Sequence, residues 1–438
     1  MILSVILFFA ISSSIQAATE TKIFIRDYSY QASEYDSKVT SRILALEQVK
    51  RLLLEEVGTY LESKTEVKNF QLTKDEITIL TGGIVKTLIR DEKWNGSTYW
   101  VQAKMEVDPE DVAKKIDLLS KDHQKTKELQ DLRKKSDELL KENENLKNSL
   151  RAGERDKKLI EKYKKNILEI EATSLINQGQ QLMEDGQGEK ALEIFDKVLK
   201  ENVSQEMNAI AYVWKGLAYY WSKKYNEAII AFTKAIENEV YETTKGTSYG
   251  IRGNCFLNLN KYKEAIRDYD MAIKIVPRAS YFFSRGVSYM NLGDNKNAID
   301  GYTMAIKLSP KYVNAYIERG TSYQSSRKYE LALDDFNTAL SIDPQNMKAY
   351  YQRAAYYLSV KNFSMAIEDS SRAIEINQKQ FEYYVIRGIA LRELGDNKRA
   401  IQDFNRAIEL NPNDEHAYVA RGMTNLYLEQ PNEAIKDL

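Results

Sequence analysis

The chain predicts a mainly α fold: an α-solenoid preceded by a coiled-coil helix and a small α+β domain. Three observations carry that reading. A small residue returns at Gly179, Gly216, Gly253, Gly286, Gly320, Ala354, Gly388 and Gly422, in steps of 37, 37, 33, 34, 34, 34 and 34 residues. A Lys- and Glu-rich stretch without Gly or Pro, Val112–Leu150, carries leucines seven apart. Ahead of it, two β-type runs flank an Asn-Gly pair. A period in the mid-thirties marks stacked helical hairpins, each with an apolar flank that only a neighbour buries.

Residues 1–17 read as an export signal. Met1–Ala10 is almost wholly apolar and leads through Ser12, Ser13 and Ser14 to Ala17-Ala18, so cleavage is expected near Ala17. No Lys or Arg precedes the run, and Ile15 stands where a small residue is usual. The run is too short to span a bilayer comfortably, so no stable membrane span is expected after its removal. The localisation this implies is a bacterial periplasm or the cell exterior.

Residues 18–110 read as the small α+β domain. Ile23 and Ile25 alternate in Lys22–Arg26, a strand pattern, and Val39, Ile43, Leu46, Val49, Leu53 and Val57 follow at helical spacing. A short helix is expected around Asp75–Leu80, and Gly82-Gly83 then opens a strand over Ile84–Trp94. Asn95-Gly96 turns the chain into Thr98–Val107, a strong hairpin signal. The layout resembles small α/β domains at the front of some bacterial envelope and flagellum-associated proteins.

Residues 111–171 read as a coiled-coil and helical linker. Leu132, Leu139 and Leu146 fall at one seam position, and Leu129, Ser136, Asn143 and Leu150 at the other. Such a seam buries against a partner helix, and Asn143 fixes its register, so a homo-oligomer through this helix is one expectation. The other is a single solvated helix packing on a neighbouring domain. Gly153 is expected to interrupt it before a second helix, Lys157–Glu171.

Residues 172–438 read as about eight hairpins, the last incomplete. Twelve residues after each small residue comes alanine, from Ala191 to Ala434. Sixteen after comes an aromatic in most units: Phe195, Phe232, Tyr269, Tyr302, Phe336 and Phe404. Nineteen after comes alanine again, as at Ala272 and Ala339, and Pro277, Pro310, Pro344 and Pro412 close several units. The small residue lets two helices approach and the ring fills the gap between them. Proline then forbids continuation of the second helix. Ala434–Leu438 matches the middle of a second helix, so the expectation is a truncated product or an end that docks on another surface.

These offsets resemble the tetratricopeptide repeat (TPR) family. The resemblance implies a right-handed superhelix whose first helices line a concave groove for a peptide or protein segment. It places groove residues three before, one after and four after each small residue. Here these are Val213, Leu217 and Tyr220; Phe283, Val287 and Met290; Ile317, Thr321 and Gln324; Tyr351, Ala355 and Leu358; and Val385, Ile389 and Arg392. Most are apolar or aromatic, whereas repeats that clamp a terminal carboxylate carry Lys, Arg and Asn at these sites. The expected ligand is therefore an apolar or aromatic protein segment. The competing expectation is that some of these side chains pack between adjacent first helices.

A second pattern runs in phase with the small residues. Arg252, Arg285, Arg319, Arg353, Arg387 and Arg421 stand immediately before them. Asp268, Asp335, Asp369, Asp403 and Asp437 precede the second-helix aromatic position in five of the same units. Units with Gln178 and Lys215 in place of Arg carry Ile194 and Ala231 in place of Asp. This joint appearance predicts structural ion pairs between first and second helices, within one hairpin or between adjacent hairpins. Arg285 is the exception: it faces Gly301, with Asp300 one step away.

Composition narrows the function. Lys and Arg number 63 against 64 Asp and Glu, so no basic excess favours nucleic acid. The single cysteine, Cys255, permits no intrachain disulfide and reads as a buried structural thiol. His123 and His416 lie far apart, and neither a metal cluster, a cofactor loop nor a catalytic triad stands out. The expectation is a non-enzymatic protein–protein scaffold or adaptor of the bacterial envelope. The alternative is a substrate-selecting or regulatory arm of an enzyme whose catalytic domain is absent from this chain.

Overall fold

A computed structural model describes residues 21–64, 72–82, 84–120, 123–151, 156–238 and 241–438. The expected signal, Met1–Ala17, lies outside them, as do Gly83, Gly153 and the side chains of Leu129, Leu132 and Ser136. The chain divides into two compact units, Met1–Ser222 and Lys223–Leu438.

In the first unit, β1 (Lys22–Gln31), β2 (Thr87–Trp94) and β3 (Thr98–Val107) form an antiparallel sheet in the order β1-β3-β2. The turn before β3 works as its residues suggest. Asn95 Oδ1 accepts from the backbone N–H groups of Ser97 (3.0 Å) and Thr98 (2.7 Å), and Gly96 takes a φ of 96°, which glycine adopts without strain. α1 (Lys38–Glu62) starts at a capping box in which Ser37 and Thr40 satisfy each other's backbone N–H. Its Val49, Leu53, Val57 and Leu61 pack on Phe24, Val101, Ala103 and Met105 of the sheet. α2 (Lys74–Gly82) lies so close that a Cβ on Gly58 of α1 would sit 2.2 Å from Thr78 Oγ1.

The next segments depart from the expected boundaries. α3 (Pro109–Ser120) contributes Val112, Ala113 and Ile116 to the sheet domain's core, so that core continues past residue 110. α4 (His123–Arg151) is the leucine-seam helix, but its described seam residues face this chain. Leu140 packs with Ile43, Leu44 and Ile170, and Leu139 lies against that cluster. Leu146 and Leu150 cover Tyr163 and Ile167. Leu146 and Leu150 are thus buried within the unit and Leu139 partly so, which corrects the expectation of a homo-oligomeric seam for this portion of the helix.

α5 (Lys157–Glu184) is one continuous helix across the expected boundary at 171/172. Nothing around Ile170-Glu171-Ala172 breaks it, because the stretch contains neither Gly nor Pro. Its first half is covered by α4. Its second half, through Ala172 and Ile176, packs on Val198 of α6 (Gly188–Glu201) and on Met207 and Ala211 of α7 (Gln205–Trp221).

A buried carboxylate ties the sheet domain to α5. Asp36 accepts from Tyr30 Oη (3.1 Å), Ser33 N (2.7 Å), Ser33 Oγ (2.8 Å) and Tyr163 Oη (2.7 Å). Lys147 of α4 lies 3.9 Å from it, with its ammonium over the Tyr30 ring. Three segments thereby share one polar centre, and Lys86 pairs with Asp185 just beyond the far end of α5.

The second unit opens with α8 (Tyr225–Glu237) and continues as six hairpins in tandem. These are α9 (Glu242–Asn258) with α10 (Tyr262–Ile275), α11 (Ala279–Asn291) with α12 (Asn295–Leu308), and α13 (Val313–Ser325) with α14 (Tyr329–Ile342). They continue with α15 (Met347–Ser359) and α16 (Phe363–Ile376), α17 (Phe381–Glu393) and α18 (Asn397–Leu410), and α19 (Glu415–Tyr427) and α20 (Pro431–Asp437). The turns between paired helices pass through a left-handed residue, from Asn260 and Gly293 to Arg327, Lys361, Gly395 and Glu429.

Close approach at the small residue fixes each hairpin. A Cβ on Gly253 or Gly286 would lie 2.8 Å from Cε1 of Tyr269 or Tyr302; on Gly320 it would lie 2.8 Å from Phe336 and on Gly388 2.6 Å from Phe404. Gly179 meets Phe195 likewise in the first unit. The unit with Ala354 carries Ser370 at the offset where most others carry a ring, so the added methyl goes with a smaller residue, and the unit of Gly422 carries Leu438 there. The alanines at twelve and nineteen after, Ala265 through Ala407, are fully buried.

Gly320→Ala is therefore expected to destabilise the chain. Overpacking costs about 1–3 kcal/mol, against about 1 kcal/mol gained by removing a helical glycine. A denaturation midpoint at or above wild type would show that the Phe336 ring can move aside.

Candidate functional site

First helices present two sets of side chains: the basic residue before each small residue, and the row expected to face a ligand. The basic residues form a repeated geometry. Arg252 grips Asp268 with Nε (2.7 Å) and Nη2 (2.8 Å), and Arg319 grips Asp335 with both at 2.8 Å. Arg353 with Asp369 (2.7 and 2.7 Å), Arg387 with Asp403 (2.8 and 2.8 Å) and Arg421 with Asp437 (2.8 and 2.5 Å) repeat it. Each pair joins first and second helices of one hairpin in the bidentate mode that a planar guanidinium favours.

Two further contacts of these arginines escaped the sequence reading. Nη1 reaches back to the preceding hairpin's second helix, for example to Thr303 Oγ1 (3.1 Å) from Arg319 and Asn337 Oδ1 (2.6 Å) from Arg353. Each guanidinium also lies over the ring three residues earlier: Tyr249, Phe282, Tyr316, Tyr350, Tyr384 and Tyr418, at 5.3–5.8 Å from the centroid. The available signal was an aromatic four before the small residue in each of these six units. Arg285, whose partner the spacing left open, pairs with Asp270 of α10 (2.6 Å).

Burial opposes charge in this ladder. Burial pushes the Asp268, Asp335 and Asp369 carboxyls above the ordinary carboxylate range even with guanidinium partners. For Arg353, burial works against the charge, but Asp369 outweighs it and holds the guanidinium above its usual value. The carboxyl shift is the informative one, since arginine stays charged at any ordinary pH. Burial also pushes the Cys255 thiol up to about 12, which fits an inert core residue.

The expected groove row is partly a packing seam. Leu217 and Ile317 are 6 % and 0 % exposed, so both are core positions and not groove-facing. The Phe283 ring lies 5.5 Å from Tyr302 and 5.0 Å from Tyr312, and Tyr351 lies 5.6 Å from Tyr383 of the next first helix. Gln324 Nε2 donates to Ser359 Oγ (3.3 Å) on the neighbouring first helix. Met290 Sδ accepts from the Tyr302 and Ser322 hydroxyls, Thr321 donates to Ile317 O, and Val385 and Ile389 lie against buried clusters.

The last hairpin shows what the row does elsewhere. Its equivalents Val419, Met423 and Leu426 are 41 %, 49 % and 51 % exposed, far above the internal ones. In internal hairpins a following first helix shields these positions. Val213, Tyr220, Val287, Met290, Thr321, Gln324, Ala355, Leu358, Val385, Ile389 and Arg392 remain half-buried, between packing and solvent. Arg392 bonds Glu393. Among the described residues, no three His, Cys, Asp or Glu side chains gather closely enough to hold a metal ion, and no helix is long and apolar enough to cross a membrane.

Models of the tetratricopeptide repeat match residues 176–239, 247–278, 279–312, 313–346, 348–380 and 381–414, together more than half of the chain. Among solved structures, the chain is similar to a tetratricopeptide repeat protein from Parabacteroides merdae ATCC 43184. That match has 20% identity over 58% of this chain and 98% of the other, with a TM-score of 0.47. YrrB, described as a TPR protein with an unusual peptide-binding site, matches at 23% identity over 43% of this chain and 95% of its own, with a TM-score of 0.37. MamA matches at 23% over 35% and 89%, with a TM-score of 0.32. No curated protein matches the chain.

Removing one partner of a buried pair leaves a lone charge, so Asp369→Ala is expected to cost about 3–5 kcal/mol. Replacing both, Arg353→Leu with Asp369→Leu, is expected to leave stability near or above wild type, because apolar residues of similar size avoid the desolvation. Denaturant titration of the two variants decides the point; equal losses would make the pair a net stabiliser.

Proposed function

The chain belongs to the tetratricopeptide repeat family, and from that premise we propose that it is a non-enzymatic interaction scaffold. Its hairpins hold a protein or peptide partner along their first helices. The observation that carries this is the half-buried row itself. Val287, Leu358, Val385 and Ile389 keep apolar side chains partly open to solvent, beside seams already closed by aromatic rings. Partial exposure of ordered apolar groups favours a ligand that brings its own apolar or aromatic side chains. Recognition of a terminal carboxylate needs convergent cations, and Arg392 is the one cation in the row.

An exported location is part of the proposal. The apolar run Met1–Ala10 and the Ala17-Ala18 pair support a bacterial periplasm or cell exterior. The sheet domain, packed along α5, is then available to localise or assemble the scaffold.

Selection of a random peptide library on the purified chain tests the reading. Enriched peptides are expected to carry aromatic and aliphatic residues, and Val287→Asp and Leu358→Asp are expected to weaken their binding about tenfold or more. Thermal midpoints of both variants should stay close to wild type, since the positions are only half-buried. Enrichment of acidic or C-terminal carboxylate peptides, or binding indifferent to both variants, would refute the proposed groove.

A further inference from the structure

We propose that each basic residue before a small residue is neutralised by one carboxylate that has two alternative seats. The seat used decides whether the charge locks a hairpin to itself or to the hairpin before it. The inner seat is the residue preceding the second-helix aromatic position of the same unit. The outer seat is the residue following that position in the preceding unit.

Seven units follow this rule without exception. Arg252, Arg319, Arg353, Arg387 and Arg421 have aspartate in the inner seat, and their outer seats hold only neutral acceptors. Those acceptors are Thr233, Thr303, Asn337, Ser371 and Asn405, each bonded to Nη1 at 2.5–3.2 Å. The other two units invert the arrangement. Arg285 faces Gly301 in the inner seat, and the outer seat holds Asp270. Lys215 has Ala231 as its inner-seat residue, and it pairs with Asp196 in the outer one. Gln178, which is neutral, has Ile194 in its inner seat. Tyr269 is flanked by both kinds: Asp268 serves Arg252 and Asp270 serves Arg285.

Physical necessity supports the exclusivity. Two carboxylates around one half-buried guanidinium leave one charge uncompensated, and none leaves the cation uncompensated. Space selects the seat at Arg285. A Cβ on Gly301 would lie 2.9 Å from Phe282 O and 3.0 Å from Gly286 Cα, so no aspartate fits there. An outer-seat carboxylate replaces a neutral hydrogen bond between hairpins with an ion pair. In a repeat array, coupling between neighbours sets how far an opening spreads. Seat choice therefore patterns the stiffness of the array: α10 and α11 are cross-linked by charge, whereas α14 and α15 are joined by Arg353 and the neutral Asn337.

Moving one carboxylate tests this on the full chain. Asp369→Asn empties the inner seat of Arg353, and Asn337→Asp fills its outer seat. Each alone is expected to lower the thermal midpoint by roughly 3–6 °C. Together they are expected to return it to near the wild-type value, and amide exchange in Tyr329–Ile342 and Met347–Ser359 should slow relative to wild type. A double variant whose loss equals the sum of the singles would overturn the proposal, as would unchanged exchange. Should either single variant fail to fold, the double alone decides. Recovery of a wild-type midpoint supports interchangeable seats, and failure to fold refutes them.

Discussion

The repeats depend on how closely two helices of one hairpin approach. A glycine Cα against an aromatic edge sets that distance, and the ring fills the volume released by the missing side chain. Everything downstream inherits the spacing. The buried alanines suit a thin second helix, and the Arg–Asp grip spans a gap of constant width in five hairpins. In the unit with Ala354 in place of glycine, the buried Ser370 stands at the offset the ring occupies in most others. At Gly286 and Gly301, where backbone meets backbone, there is no room for the carboxylate, and the charge partner comes from the neighbouring hairpin.

Polar order is laid over this apolar frame. Buried ion pairs contribute little net stability, because desolvation offsets attraction, but a mispaired register would strand a charge. The ladder therefore acts against wrong stacking more than it adds to stability. Stacked tyrosines beneath the arginines limit guanidinium rotation and keep water from one face. The same logic operates at the front of the chain, where Asp36 holds the β1–α1 loop, α4 and α5 at one polar centre.

Much of the candidate site was legible because period and offset survive without coordinates. The small residue, the ring sixteen later and the Arg–Asp covariation are properties of spacing. The row at three before, one after and four after was legible as a position but not as a role. Ile317 and Val419 are the same apolar residue class at equivalent offsets, yet one is buried and the other open. A neighbour's presence decides between them, and sequence spacing carries no record of neighbours. The leucine seam of α4 shows the same limit: heptads announce that a helix needs a partner, without saying that α5 and α1 supply it.

Sequence alone determined the repeat unit, its helix pairing and the chemistry of its buried contacts, because these follow from side-chain volume and charge at fixed intervals. Tertiary structure alone decided three matters. It made α5 one helix across the apparent domain boundary, gave Arg285 its partner on the preceding hairpin, and set which positions of the first-helix row face solvent. Each depends on distances between segments far apart in the chain, and those distances exist only once the hairpins have packed.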